Sequence, residues 1–502
     1  MGESTASCIG GGACVSLVEG LTRLRNAADA GKILSITLDD GMYDEDTVGG
    51  DLNETLRTFD SGVLASSVII TSASMTPGGA TIRASAGSTF PIFKFAYGDA
   101  SVHSLSGLRV TLRGLTIKGS EGQSESAPAL LIDGGQLIVE DCAFTANPAS
   151  AVKVTGGVTS ISTSTFLGNG LLNSTEGGAI KINCPTAASR PVNERDCSIT
   201  AEATHFEGNL AAQGGVLYSM GRSSKSSLIR CTLTRNRASL AGGALYADAG
   251  KIYLSNQTKV FMNVAPQDSG KASFVVNGRI NYALPAPLGH FADATFCKLY
   301  RVPCSDPNNC DPSTRPPMPD QPCDPDEYDR YLARMPQGAL DDNLPYLCLP
   351  GTYGATLNPV EQMSSRCSGS CPAGHYCSVG AVEPIECQTG TYCPTGSPME
   401  IPCNQGTYGT RPRLIDQSEC VTCEAGGYCT GGQRTTCIPN FYNNNTGSSL
   451  QSDCVACPEY STTVGPASVQ LRDCTCKTHL YFTEVPLSDG PPGSFKCECE
   501  PG

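Results

Sequence analysis

A short closing phrase recurs through the first half of the chain. It reads Phe144-Thr145-Ala146-Asn147, Phe166-Leu167-Gly168-Asn169, Phe206-Glu207-Gly208-Asn209 and Leu233-Thr234-Arg235-Asn236, with Phe261-Met262-Asn263 as a shortened form. The closing asparagines lie 22, 40, 27 and 27 residues apart. Units begin afresh at Gly177-Gly178-Ala179-Ile180, Gly214-Gly215-Val216-Leu217 and Gly242-Gly243-Ala244-Leu245, and short apolar runs such as Leu137-Ile138-Val139 lie between. One coil of short strands cannot bury its own inward face, so such units must stack. Stacking aligns like residues: Phe meets Phe, each buried ring contributing roughly 1.5–3 kcal/mol, and Asn side chains hydrogen-bond from coil to coil. Asn is also expected to take the left-handed backbone of one tight corner, and the paired glycines to make the other. The 40-residue interval contains Cys184 and Cys197, read as pinching a protruding loop. An antiparallel β-sandwich, which also has short strands and glycine turns, is the alternative.

The fold class expected is all-β: a parallel β-helix solenoid over residues 31–290, with an N-terminal capping helix in residues 1–30. Leu17, Leu21 and Leu24, with Val18 and Ala28, fall at helical spacing before Gly31. A helix there would cover the open first coil. A Pro-, Asp- and Cys-rich linker is read over 291–347, and cysteine-rich repeats with little regular structure over 348–502.

Cysteine usage divides the chain. Of 27 cysteines, six precede residue 290 and 21 fall between Cys297 and Cys499. With only five histidines, disulfides in an oxidising compartment are a better account than metal sites. The odd total leaves one thiol over, or one partner outside the sequence in hand. No apolar signal segment or membrane-length stretch is visible, so a leader, and an anchor with it, is expected to lie outside this sequence. A formal charge of −14 argues against nucleic acid or an anionic membrane surface as partner. Glycosylation acceptors occur at Asn53, Asn173, Asn256 and Asn444.

The Gly-Gly-Ala-Ile and Phe-x-Gly-Asn units resemble the repeats of chlamydial polymorphic outer-membrane proteins. More broadly, the half resembles the right-handed parallel β-helix of the pectin-lyase-like superfamily, including a first coil at Ile36-Thr37-Leu38-Asp39-Asp40-Gly41-Met42-Tyr43, which implies a right-handed coil here. The first likeness implies surface display and binding; the second implies polysaccharide lyase or hydrolase activity as an alternative. Hydrolysis needs carboxylates placed for acid and base work. Asp39 and Asp40 are adjacent and read as corner residues, Asp141 and Asp248 are isolated, and the Gly-His-Gly element is absent. His103 sits in a Ser-Val-His-Ser run, and His205, before a core-type Phe, is expected to point outward. The lyases' Arg-x-Pro-x-x-Arg is approached only by Arg190-Pro191-Val192-Asn193-Glu194-Arg195, where the proline comes one position early. Trp is absent, leaving Tyr218, Tyr246 and Tyr253 as sugar-stacking substitutes. No complete catalytic constellation emerges, so no catalytic residue, cofactor or metal ligand is assigned.

From Cys348 onward the unit is Cys-x-x-Gly-x-Tyr, often followed at once by Cys. It begins at Cys348, Cys371, Cys387, Cys403 and Cys423, with Cys377, Cys393 and Cys429 after the tyrosine and degenerate members at Cys437 and Cys457. Apolar residues are too few here for a core, so disulfides carry stability, roughly 2–4 kcal/mol each. Cys367, Cys420 and Cys454 complete the structural candidates. Cys420-Val421-Thr422-Cys423 and Cys454-Val455-Ala456-Cys457 have zinc-type spacing, but they sit in an array of other cysteines. These units resemble ephrin-receptor-like repeats and, more loosely, tumour-necrosis-factor-receptor and EGF-like modules, which implies extracellular stalks. The expectation is an extracellular or cell-surface structural or adhesion protein, a β-helical binding rod on a disulfide-rich stalk. Its partner would be a glycan, a protein on another surface, or further copies of itself, and a membrane only through a segment not present here. The alternatives are a polysaccharide-active β-helix enzyme and the ectodomain of a larger receptor or channel.

Overall fold

The computed structural model describes residues 4–8, 33–43, 67–83, 91–95, 109–119, 127–172, 175–184, 197–255, 257–292, 332–334, 337–340, 342–359, 361–478, 481–489 and 493–499. Two compact units result. The first comprises 1–287, 291–346 and 357–364, and the second 288–290, 347–356 and 365–502.

The first unit is a parallel β-solenoid. Its strands alternate between a 17-stranded and an 8-stranded sheet among the described residues. In mid-solenoid the long-sheet strands Leu130–Glu140 and Val152–Ser162 run unbroken for 11 residues. Later coils divide that path in two, as in Leu217–Met220 then Lys225–Ile229, and Leu245–Asp248 then Lys251–Ser255. Each coil then crosses to a short strand, among them Leu115–Lys118, Ala143–Thr145, Thr165–Leu167, His205–Glu207, Thr232–Thr234 and Lys259–Phe261.

The short sheet aligns Ile82, Ile117, Phe144, Phe166, Phe206, Leu233 and Val260 in one inward column. All seven are fully buried. Phe144 and Phe166 stack at 4.5 Å, and Phe166 and Phe206 at 4.9 Å. The last closing is not shortened. Val260 continues the column and Phe261 pairs with Thr234 on the outer face, so Val260-Phe261-Met262-Asn263 is a full-length closing.

Asn147, Asn169, Asn209, Asn236 and Asn263 form a second column, buried throughout. Each Nδ2 donates to the next Oδ1, at 2.7, 2.9, 2.8 and 2.9 Å. The same amides donate to carbonyls of the preceding coil, and each accepting Oδ1 also takes the backbone N–H of the Asn before it. The left-handed residue of this corner is the one before the Asn: Ala146, Gly168, Gly208, Arg235 and Met262, with φ between 51° and 65°. Asn is therefore the hydrogen-bonding residue of the corner, and Gly at the third position relieves the backbone.

The Gly-Gly pair needs two separate absences of Cβ. Gly214 has φ +66°, while a Cβ on Gly215 would lie 2.2 Å from the Gly243 carbonyl oxygen of the next coil. The first glycine turns the chain and the second lets adjacent coils meet.

Further strands extend the long sheet at both ends. Ser4–Cys8 pairs in parallel with the strand Ile33–Leu38. At the other end Leu332–Arg334 and Gly338–Leu340 pair antiparallel with Arg279–Ala283 and Ser273–Val275, and Leu344 bridges to Val260. One returning segment thus occupies edges on both sheets, where open strands would otherwise invite pairing with another chain. The helix read over Leu17 to Ala30, and the Cys297 to Cys323 passage, lie outside the described residues.

Not every inward side chain is well matched. Thr159 lies between Leu137 and Ile199 in register, and its buried hydroxyl has no hydrogen-bond partner among the described residues. Thr159→Val is expected to stabilise the solenoid by about 1 kcal/mol by removing that desolvated hydroxyl without changing shape. Urea unfolding of both proteins checks it; a lower midpoint for the variant would show that the hydroxyl is satisfied.

The second unit consists of short antiparallel hairpins, including His375–Tyr376 with Ile385–Glu386, Thr407–Tyr408 with Val421–Thr422, and Phe441–Tyr442 with Val455–Ala456. Eight disulfides staple it: Cys348–Cys367, Cys371–Cys377, Cys387–Cys393, Cys403–Cys420, Cys423–Cys429, Cys437–Cys454, Cys457–Cys474 and Cys476–Cys497. Backbone bonds join successive modules. Gly351, Gly374 and Gly406 donate their N–H to the carbonyls of Cys377, Cys393 and Cys429, at 2.8, 2.8 and 3.0 Å. The glycine of the repeat thus turns its own loop and ties it to the next, so the modules form a hydrogen-bonded series.

Candidate functional site

The outer face of the long sheet brings together side chains distant in sequence. Register aligns Lys94, Leu131, Lys153, Lys181, Tyr218, Tyr246 and Phe274 in one row. Tyr218 and Tyr246 stack at 5.2 Å, and Tyr246 and Phe274 at 5.7 Å, with rings within 7° of parallel. Only 5% of Tyr218 and 8% of Tyr246 is exposed. Their faces are spent on one another, so these two tyrosines cannot serve as a sugar platform. Burial, then the Glu176 and Asp248 carboxylates, raises the Tyr218 phenol above its ordinary value.

Above the aromatic stack the row turns cationic. Lys181 Nζ lies 2.6 Å from Glu176 and 5.9 Å from the centre of the Tyr218 ring. Lys153, one coil away, is half-buried and makes no hydrogen bond or ion pair among the described residues. Burial, and then the neighbouring Lys181, lowers its ammonium below the usual range. Sequence reasoning missed this cluster. The available signal was the repeated Val152-Lys153-Val154 and Ile180-Lys181-Ile182, a lysine at the same outward position of consecutive coils.

The acid–base candidates are used structurally. Asp141 occupies a left-handed corner at φ 52°, and its carboxylate accepts the Thr163 hydroxyl at 2.5 Å. Asp40 accepts from Ser72 Oγ at 3.2 Å. His205 faces outward with Nε2 3.0 Å from Glu207, whose other oxygen lies 2.6 Å from Arg235. The His205 and Arg235 contacts hold the Glu207 carboxyl below its ordinary value. Asp248 lies on the long sheet, apart from Asp141 at its corner. His103 and the Arg190 to Arg195 loop lie outside the described residues. Among the described residues no group of three His, Cys, Asp or Glu is placed to hold a metal.

Each cysteine of the two Cys-x-x-Cys pairs bonds elsewhere: Cys420 to Cys403, Cys423 to Cys429, Cys454 to Cys437 and Cys457 to Cys474. This leaves no free pair for zinc or thiol exchange. In the solenoid Cys184 bonds Cys197. Asn444 is exposed in a loop, whereas Asn53, Asn173 and Asn256 lie outside the described residues.

Three described cysteines are free: Cys142 and Cys231, both buried, and the exposed Cys499. Cys142 and Cys231 follow the corner between the two sheets, at the positions that Ser164, Thr204 and Thr258 occupy in other coils. Their Sγ atoms meet backbone carbonyls as those hydroxyls do. Burial pushes both thiols from 9.0 up to about 12. Native alkylation at pH 8 is therefore expected to modify Cys499 and to spare Cys142 and Cys231 until denaturant is added. Peptide mass mapping checks it. The two burials contribute fully below pH 9; above it the unfolded chain loses protons that the fold retains, so stability falls as pH rises towards 12.

No protein-family model and no curated protein matches this chain. The nine disulfides of the described residues fit an oxidising compartment. No helix among them is long and apolar enough to cross a membrane.

Proposed function

We propose that this chain is an extracellular or cell-surface structural and adhesion protein, binding through the outer faces of its solenoid. The observation that carries this reading is how the fold spends its side chains. The inward columns of Phe and Asn build a regular scaffold, while Asp141 holds a corner and His205 makes a surface hydrogen bond to Glu207. What remains outward is an in-register display of side chains, which suits recognition of a repetitive ligand. The disulfide-stapled second unit suits life outside the cell, and the exposed Asn444 sequon suits glycosylation on the secretory route.

The deciding experiment passes oxidised, secreted full-length protein over immobilised acidic and neutral polysaccharides and protein-coated surfaces, following retention and chain cleavage together. Retention without cleavage is expected. Cleavage of any polysaccharide would replace this reading with an enzymatic one, and retention on no surface would move the function to self-assembly.

A further inference from the structure

Lys153 and Lys181 occupy equivalent outward positions on consecutive coils. Strands paired in this way lie about 4.8 Å apart, so the two lysine stems leave the sheet side by side. One carboxylate, Glu176, faces this pair of cations, and it contacts Lys181 at 2.6 Å. Lys181 is further fixed by the Tyr218 ring beneath it. Lys153 is left half-buried beside a like charge, with neither a hydrogen bond nor an ion pair among the described residues. A partly desolvated cation that shares its one nearby carboxylate with a second lysine is costly to keep: burial and Lys181 lower its ammonium value, and Glu176 offsets them only in part. An arriving oxyanion would relieve both the desolvation and the repulsion. In a chain of net charge −14, such a local excess of positive charge stands out.

The row also selects among oxyanions. Lys94 lies on the same line, separated from Lys153 by Leu131. Charges arranged along one straight line of coils match a linear polymer that repeats its anion from sugar to sugar. Ammonium groups are point charges and lack the planar fork with which Arg matches a carboxylate. A tetrahedral sulfate can give one oxygen to each ammonium and keep a third in water. We propose that Lys153 and Lys181 form an oxyanion site on the outer face of the long sheet that binds the sulfate esters of a linear sulfated glycan. This deepens the reading of the solenoid as a binding surface and rests on it.

The test measures binding of the full-length protein to dextran sulfate, polygalacturonate and plain dextran at low and physiological salt. The proteins are wild type, Lys153→Gln, Lys181→Gln, the double variant and Lys259→Gln. The last removes the same charge from an exposed position on the short sheet. Dextran sulfate is expected to bind wild type, and the double variant to lose about tenfold or more in affinity, near 1.4 kcal/mol. Lys259→Gln should bind as wild type does, and added salt should weaken all binding. Circular dichroism and urea midpoints confirm that each variant folds. Equal affinity of wild type and the folded double variant overturns the site, as does a loss matched by Lys259→Gln, which would be only a net-charge effect. Stronger binding of polygalacturonate than of dextran sulfate overturns the choice of sulfate. Retention on plain dextran or a protein surface, unchanged in the double variant, would sink this site while leaving the adhesion reading intact.

Discussion

Asn209→Ala is expected to destabilise the solenoid by about 3–5 kcal/mol, through groups it leaves stranded more than through the bonds it makes. The Asn209 Oδ1 accepts both the Asn169 side chain at 2.9 Å and the Asn169 backbone N–H at 3.0 Å. Its Nδ2 donates to the Phe166 carbonyl at 3.0 Å and to Asn236 Oδ1 at 2.8 Å. All of these atoms are shut away from water. Truncation therefore leaves donors on one side and acceptors on the other, each costing about 1–3 kcal/mol when buried without a partner. Urea unfolding followed by circular dichroism measures the loss. A change below about 1 kcal/mol would mean that water enters the corner and that the column is decorative. Asn263→Ala, at the column's end, offers a graded comparison: its Oδ1 accepts the Asn236 side chain and backbone N–H and its Nδ2 donates to the Leu233 carbonyl, with no further Asn beyond it.

The legible part of this fold was whatever repeats by identity. Phe and Asn recur because stacking places each on its own kind, and a column of like residues leaves a visible period. The reading failed where the structure repeats a role with changing residues. The left-handed corner position is Ala, Gly, Gly, Arg and Met in successive closings, so the conformation was assigned to the constant Asn beside it. Val260 takes a ring's place in the column, and the nearby Phe261 drew attention to the wrong position. Cys142 and Cys231 stand where Ser and Thr stand elsewhere, so their shared role as small hydrogen-bonding corner residues leaves no period in the sequence. The lysines of Val152-Lys153-Val154 and Ile180-Lys181-Ile182 share a pattern in the sequence, but only the register of the coils sets the two side by side. In the second unit the spacing of cysteines marked the modules, but the Gly-to-Cys hydrogen bonds between modules leave no trace in composition.

The aromatic column makes the other large prediction. Phe206 is fully buried, its ring stacked 4.9 Å from Phe166 and aligned on its other side with Leu233. Phe206→Ala is expected to cost about 3–5 kcal/mol, the lost transfer energy plus the hole left behind. A solenoid has little means of closing such a hole. The backbone on both sides is held by strand pairing to Thr165–Leu167 and Thr232–Thr234, so neighbours cannot collapse inward without breaking register. Phe206→Leu separates packing from scaffold damage, because the next coil already places Leu at this position in Leu233. It should cost under about 1.5 kcal/mol, as a hydrophobic exchange with modest repacking. If Ala and Leu were equally mild, the ring would contribute little and stability would reside in the Asn column and the strand ladders. If both were severe, the site would demand a ring, and the change from Phe206 to Leu233 would mark a boundary between two differently packed halves of the core.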